Sequence, residues 1–296
     1  QDSQLEKIIE NTHDYRQDMH QILINTAKGI DNIFDDSEEE IEGYDKTYGL
    51  IQLSSFFDEG EDVQFDQRIS LKFKLPKLKR NLKNKIKLLL ENDKTKENTD
   101  YTEDETHNLD LSLQYEDYLG GNISFKTKGG VRLGSGLNLF IKSEIKKVIE
   151  DIQGIDYTFS QSIKESIQDN LELTSYIRLD KQLNDIYSLH NYYEYYWQPI
   201  INNDSKWYTS IYLIHRVSDK NTLTYTLGSN INNIDSNSKV KRYNATVNFR
   251  HWLRKWIFID IIPENYYEEK ENFNSAYSIK FSLGIYINKD SYKQKK

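Results

Sequence analysis

The chain has no cysteine, only three prolines and a single methionine, and nowhere does it string together about eighteen apolar residues. Without cysteine there is no disulfide scaffold and no thiol-ligated zinc or iron–sulfur site, although an oxidising compartment stays open. Without a long apolar run there is no transmembrane helix. Positive charge is in the minority: 39 Lys and Arg stand against 47 Asp and Glu, for a net charge of −8. That balance argues against sequence-independent nucleic-acid binding. What the chain does have is aromatic residues. They make up 13% of its 296 positions, with 22 tyrosines, in a sequence whose mean hydropathy is −0.78. Aromatics spread evenly among Lys and Glu suit a sheet whose two faces meet different media. The first residues, Gln1–Asp2–Ser3, lack an initiator Met; a mature exported product with its signal peptide cleaved starts this way, and so does a trimmed chain.

Residues 4–34 read as one amphipathic helix. Leu5, Ile8, Ile9, Met19, Ile22, Leu23, Ala27, Ile30, Ile33 and Phe34 recur at spacings of three and four, which stacks them on one side. The acidic stretch from Asp35 to Glu40 follows, a solvated linker by composition. From about residue 45 the period changes from 3.6 to 2. Val63, Phe65, Ile69, Leu71, Phe73 and Leu75 alternate with Gln64, Asp66, Arg68, Ser70, Lys72 and Lys74, and the last segment sets Tyr277, Ile279, Phe281, Leu283, Ile285 and Ile287 against Ser278, Lys280 and Ser282. Such segments are strands with one apolar and one polar side.

About fourteen such strands are expected, with twelve as the alternative count. Their approximate spans are 46–57, 63–75, 80–91, 108–116, 122–133, 137–148 and 155–164, then 171–180, 186–197, 207–217, 222–231, 241–251, 256–263 and 276–287. Gaps after even-numbered strands are short, whereas 92–107, 198–206, 232–240 and 264–275 read as longer loops at the other end. Short turns alternating with longer polar loops is the outer-membrane pattern. A meander this long must close or leave costly edges. A closed ring of about fourteen strands is too wide for apolar side chains to fill. The expected fold is therefore all-β: a closed antiparallel transmembrane β-barrel over residues 44–288, apolar side to lipid, preceded by a helix and linker (1–43) and followed by a polar tail (289–296). An interfacial aromatic girdle is expected from Phe56, Phe57, Tyr115, Tyr118, Trp197, Trp207, Trp252, Trp256, Tyr266 and Tyr267.

The segment Phe249–Arg250–His251–Trp252–Leu253–Arg254–Lys255–Trp256–Ile257–Phe258–Ile259–Asp260–Ile261–Ile262–Pro263–Glu264, with the terminal strand Tyr277 to Ile287, resembles a family of uncharacterised Gram-negative outer-membrane proteins. Residues Ile69 to Leu78 and Gly129 to Leu133 resemble earlier parts of the same pattern. The resemblance implies a porin-like barrel in the outer membrane and no activity. The chain departs from it at the tail, Asn288–Lys296, where such proteins usually stop at an aromatic residue.

The polar register supplies the candidate pore lining: Arg68, Lys72, Lys74, Lys83, Lys85, Lys126, Lys128, Arg132, Arg178, Glu194, Arg216, Arg250, Asp260 and Lys280. Cations outnumber anions there, which favours anionic or polyhydroxylated solutes, unless the charges serve only as cross-strand pairs filling the interior. Leu5, Ile8, Ile9, Met19, Ile22, Leu23 and Ile30 form a stripe that something must cover: the bore as a plug, a periplasmic or surface protein partner, or a second copy. Chemistry finds little support. His13 and His20, near Asp14 and Asp18, read as exposed helix residues rather than metal ligands. His190 lies between Ser188 and Tyr192 on the polar register, but no local motif of the outer-membrane phospholipases accompanies it. The grouping of Arg250, Arg254 and Asp260 reads as structural, and Gly129–Gly130 lacks the following helix of a phosphate loop. No catalytic residue, metal or cofactor is assigned. The expectation is a passive channel for small polar or anionic solutes, in contact with outer-membrane lipid and not with nucleic acid. The other reading is a non-conducting barrel that recruits a partner through its helix or loops; a membrane-embedded lipase or protease is the third.

Overall fold

The computed structural model describes residues 2–34, 42–81, 86–92, 109–133, 136–168, 170–199, 204–234 and 237–287, with side chains of the first helix from Asp14 to Ile33. The linker 35–41, Lys83, Lys85, His107, the turn glycine Gly134 and the tail 289–296 lie outside them. The chain begins with helix α1 (Asp2–Phe34) and continues through β1 (Tyr48–Asp58), β2 (Gln64–Phe73), the short helix α2 (Pro76–Asn81), β3 (Ile86–Asn92), β4 (Leu109–Gly120) and β5 (Ile123–Leu133). Next come β6 (Leu137–Ile152), β7 (Ile155–Ser166), β8 (Asn170–Gln182), β9 (Tyr187–Gln198) and β10 (Asp204–Arg216). The last four strands are β11 (Asn221–Ile234), β12 (Asn237–Arg254), β13 (Ile257–Glu268) and β14 (Ser275–Ile287). Every strand pairs antiparallel with its sequence neighbours, and β1 pairs with β14, so the fourteen strands close into a barrel.

The register decides which way each side chain faces. At one level of the wall Ser54, Ser282, Asp260, Arg250 and Thr222 lie side by side across β1, β14, β13, β12 and β11. Ser54, Asp260 and Ser282 are buried, and the Ser54 and Ser282 hydroxyls hydrogen-bond at 2.9 Å. One residue along, each side chain points the other way. Leu53, Phe65, Leu111, Leu139, Ile141, Ile163, Ile211, Leu227 and Phe281 stand exposed on the outer surface. A soluble protein does not leave so continuous an apolar surface in water. Buried polar and exposed apolar side chains on opposite faces of a closed wall are the polarity of a barrel in lipid, where closure satisfies every strand N–H and C=O.

The fourteen strands match the expected number, but two local expectations fail. Residues 80–91 do not form one strand. Pro76 opens α2 and β3 begins only at Ile86, because Pro preorganises the first helical position and a distant carboxylate caps it, as described next. The regions read as long loops at 232–240 and 264–275 are largely strand, since β11 runs to Ile234, β12 starts at Asn237 and β13 runs to Glu268. The hairpins there continue as paired strands, with Asn265 and Tyr267 on the outer side of β13 and Glu264 and Glu268 on its inner side. Polar composition had the look of a loop, but cross-strand pairing does not depend on it.

Helix α1 lies across the seam where the barrel closes, at the end that carries both strand termini. The Arg16 guanidinium donates to the Tyr286 carbonyl at 3.1 Å and sits 5.1 Å over the Trp256 ring. Burial lowers the Arg16 pKa from its ordinary value. Seven residues on, Leu23 packs on the outer face of Gly49, between Leu71 and Ile287. A Cβ at Gly49 would sit 2.6 Å from Leu71 Cδ2 and 3.5 Å from Leu23 Cδ1, so the missing side chain is what lets the helix approach. Ala27 then joins Tyr44, Phe73, Leu75, Leu78 and Leu88 in a buried cluster, with Leu23, Ile24 and Ile30 packed against it. Phe73 and Leu88 face outward with Leu71 and Leu90, so residues 14–33 lie against the outside of the wall. Ile22, read from sequence as part of the covered stripe, is 61% exposed. The covered stripe is centred on Ala27 and Asp31 instead, because a helix gripping a polar cap turns its carboxylate side inward.

Asp31 is that cap. Its side chain is fully buried and accepts from the Lys77 N–H at 2.7 Å, the Leu78 N–H at 2.9 Å and the Tyr44 hydroxyl at 2.8 Å. The first two are unpaired donors at the start of α2. A single carboxylate thereby ties α1, α2 and the turn before β1 together.

Candidate functional site

The candidate site is the inner wall of the barrel. Of the residues expected to line it, Arg68, Lys72, Lys126, Lys128, Arg132, Arg178, Glu194, Arg216, Arg250, Asp260 and Lys280 stand in the inward register. Lys74 lies just past the end of β2 and donates its backbone N–H to Thr47 Oγ1; Lys83 and Lys85 lie outside the described residues. Three of the aromatics expected in the girdle also face inward. Phe56 is level with Lys280, Trp252 with Phe258, and Tyr266 donates its hydroxyl to Asp58 at 2.6 Å. Strand-end position marks a residue as near the interface, but parity alone decides which side it takes. Phe57, Trp207 and Tyr267 are exposed on the outside, and Trp207 packs on Tyr195 at 4.6 Å. Trp256 is buried beneath Arg16.

Going round the wall, its chemistry changes in sectors. The sector β12–β14 is held by bidentate pairs. Arg250 donates to both Asp260 oxygens at 2.7 Å while stacking 4.0 Å over Phe258. Arg242 bridges Glu264 at 3.0 Å and Glu268 at 2.5 Å, over the Tyr266 ring. Arg254, grouped with Arg250 and Asp260 from sequence, lies exposed at the turn and takes no part in the pair. The Phe258 ring lies flat on Gly284: a Cβ there would fall 2.1 Å from Cζ. We expect Gly284→Ala to lift the ring off the wall, loosen the Arg250 stack, and cost about 1–2 kcal/mol as overpacking does. Loss of heat-resistant folded mobility on a gel, compared with the unchanged protein, is the measurement.

The sector β3–β8 is densely charged and paired in part. Arg132 grips buried Asp110 at 2.9 and 3.2 Å, Lys128 reaches Glu91 at 3.0 Å, Lys87 bonds Glu116, and Lys164 reaches Glu172 at 3.2 Å. Within it Lys128, Lys142 and Lys164 stand directly opposite one another on β5, β6 and β7. Among the described residues Lys142 makes no ion pair. Like charges opposite each other on adjacent strands destabilise a sheet. Glu91 and Glu172 offset this for Lys128 and Lys164, so the cost falls on Lys142.

The sector β8–β10 is aromatic. Tyr176, Tyr192, Tyr196, Tyr208 and Tyr212 take inward positions, with His190 stacked on Tyr212 at 4.6 Å and Tyr192 tilted against Tyr176 at 5.5 Å. Beyond it β11 and β12 offer hydroxyls and amides: Thr222, Thr224 and Thr226, then Asn244, Thr246 and Asn248.

In the aromatic sector the fold assembles a set whose members the sequence does not pair. His190 Nε2 is 2.9 Å from Ser188 Oγ, and Nδ1 is 2.5 Å from Asp180 Oδ1, which also accepts through its other oxygen from Arg178 at 2.8 Å. The order is that of a nucleophile, a base and an orienting acid. It faces the bore rather than the lipid, and its backbone N–H groups belong to the strand ladder, which leaves none to stabilise an oxyanion. The signal for it was Ser–x–His on one strand face; Asp180 came from a register that the sequence does not state. Among the described residues there is no group of three or more His, Cys, Asp or Glu arranged to hold a metal. His20 is apart from such company, and the side chain of His13 is not described.

No protein-family model matches the chain, and no curated protein matches it. Solved structures do. The outer membrane channel DcaP of Acinetobacter baumannii is 8% identical, with 81% of this chain and 96% of that chain covered and a TM-score of 0.50. OmpT, an outer membrane protein of Vibrio cholerae, is 9% identical in its membrane-expressed form, with 84% and 100% covered and a TM-score of 0.51. At such identities the likeness is one of fold. Taken with the inverted polarity of its wall, it makes this chain a porin-like β-barrel of the outer-membrane kind.

Proposed function

We propose that the barrel is a passive channel for small polar solutes, with a preference for anions. The observation that carries this reading is the hydrophilic inner wall on so wide a ring. Strands about 4.8 Å apart and tilted by ~40° give fourteen of them a radius of about 14 Å, well beyond the reach of one extended Lys or Arg. Water fills what side chains cannot, and residues 14–33 of α1 lie outside the wall. The lysine row supports the anion preference, because a low-dielectric wall focuses into the bore the field of Lys142, which has no ion pair among the described residues. The fold likeness to an outer membrane channel agrees with it. Enzymatic action has less behind it: Ser188, His190 and Asp180 are aligned, but the strand N–H groups beside them are taken up by the ladder.

Reconstitution of the purified chain into a planar bilayer tests the reading. Expected are stepwise openings and, across a salt gradient, a reversal potential on the anion side. A barrel that inserts and never conducts overturns it in favour of a structural or recruiting role. The same experiment after removal of residues 1–43 shows whether the helix governs opening; a helix outside the wall predicts unchanged unit conductance.

A further inference from the structure

The aromatic sector is not needed for a channel of inorganic ions. In lipid, Tyr and Trp gain by facing outward at the interfaces; here a group of them is turned into the bore. His190 and Tyr192 follow one another on the inner face of β9 and Tyr196 comes after buried Glu194, whose carboxylate accepts from the Tyr192 hydroxyl, with Tyr212 opposite His190 on β10 and Tyr176 opposite Glu194 on β8. From His190 to Tyr196 is about 20 Å of strand at roughly 3.3 Å per residue. The rings thus form a track along the direction of transport rather than a band across it. Hydrogen-bonding groups flank the track on both sides at the same levels. Arg178 is opposite Tyr192 and Asp180 opposite His190 on one side, and Thr226 is opposite Tyr212 on the other.

We infer that this wall is a binding track for linear oligosaccharides, a deepening that rests on the channel reading above. A pyranose ring has flat faces of C–H groups and a rim of hydroxyls. The C–H faces carry partial positive charge and suit the negative face of a tyrosine ring. The rim needs donors and acceptors at both sides, which charged and hydroxyl side chains supply at either edge. A chain of such rings repeats that pattern along its length, as the track does. An acyl chain or an apolar drug would cover the rings but take water from the tyrosine and threonine hydroxyls and from the Arg178–Asp180 pair at their edges without replacing it, at a cost for each. The lysine row lies round the wall from the track, so an acidic sugar chain gains a further attraction without altering the stacking.

The test uses the full-length protein, with maltohexaose as the neutral probe and hexagalacturonate as the acidic one. In a planar bilayer, added sugar should interrupt the current in a concentration-dependent way. Tyr192→Ala combined with Tyr212→Ala should weaken the binding constant about tenfold, as the loss of two ring contacts does, while Tyr192→Phe with Tyr212→Phe retains it, because stacking needs the ring and not the hydroxyl. Conductance that neither sugar interrupts overturns the track and leaves the channel standing. If the barrel does not conduct at all, calorimetry on the detergent-solubilised protein decides separately: heat of sugar binding that disappears in the double Ala variant supports the track, and no heat from either sugar, or heat that survives the substitutions, overturns it.

Discussion

Asp31→Ala should release helix α1 from the barrel without opening the barrel itself. The carboxylate is fully buried and holds two backbone N–H groups at the start of α2 and the Tyr44 hydroxyl. Its removal leaves three buried donors without an acceptor, each costing about 1–3 kcal/mol, and it removes the helix cap as well. The summed loss is about 3–9 kcal/mol, against about 1.5–3 kcal/mol for each large apolar side chain that the helix fully buries in the Ala27 cluster. Hydrogen exchange should show residues 14–33 and 76–81 losing protection, with β5 to β12 unchanged. Asp31→Asn keeps one acceptor oxygen and should fall between. Unaltered exchange in α1 of the Ala variant would mean that the apolar contacts alone hold the helix.

The second prediction has opposite signs for stability and for selectivity. Lys142→Glu turns a row of three cations into one of alternating charge, since Lys128 and Lys164 lie opposite it on both sides. Each cross-strand pair changes from repulsive to attractive, worth roughly 0.2–1 kcal/mol apiece. The variant should therefore resist heat or urea better than the natural sequence by about 1 kcal/mol. At the same time the net charge of the bore falls by two at one level, and the reversal potential should move toward cations. Lys142→Gln removes the charge without adding one, and should give half the shift in potential. Loss of stability in the Glu variant, or an unmoved potential, contradicts the assignment of Lys142 to a wetted wall.

Neither result could have been drawn from the chain by inspection. The alternation Leu71–Lys72–Phe73–Lys74 reveals a strand and its two sides, and it sufficed for the number of strands and for the closed topology. It assigned Lys128 and Lys142 to the polar side but not to adjacent positions, which depends on how β5 and β6 slide past one another. It placed Ser188 beside His190 and left Asp180 out for the same reason. The girdle shows the limit from another side: Trp252 and Tyr266 lie near strand ends as interfacial aromatics do, yet face the bore. The helix was visible from its period, while its stripe was set a fraction of a turn off, because Asp31 counts as solvent-facing to any reading that ranks residues by hydropathy. Its location across the β14–β1 seam depends on Gly49, which carries no signal of its own.

What the sequence determined alone is the polarity of the wall, because side chains alternate every second residue and that period is a property of the local backbone. With no cysteine, no long apolar helix and a meander of amphipathic strands, an inverted barrel is the arrangement that satisfies the backbone and hides the apolar faces. Only the tertiary structure decided how the inner wall divides into paired, charged, aromatic and amide sectors, and where the helix rests. Those outcomes are set by inter-strand register and by contacts between residues far apart in the chain, such as Asp31 with Lys77 or Arg16 with Tyr286. A pattern confined to neighbours along the chain does not encode them.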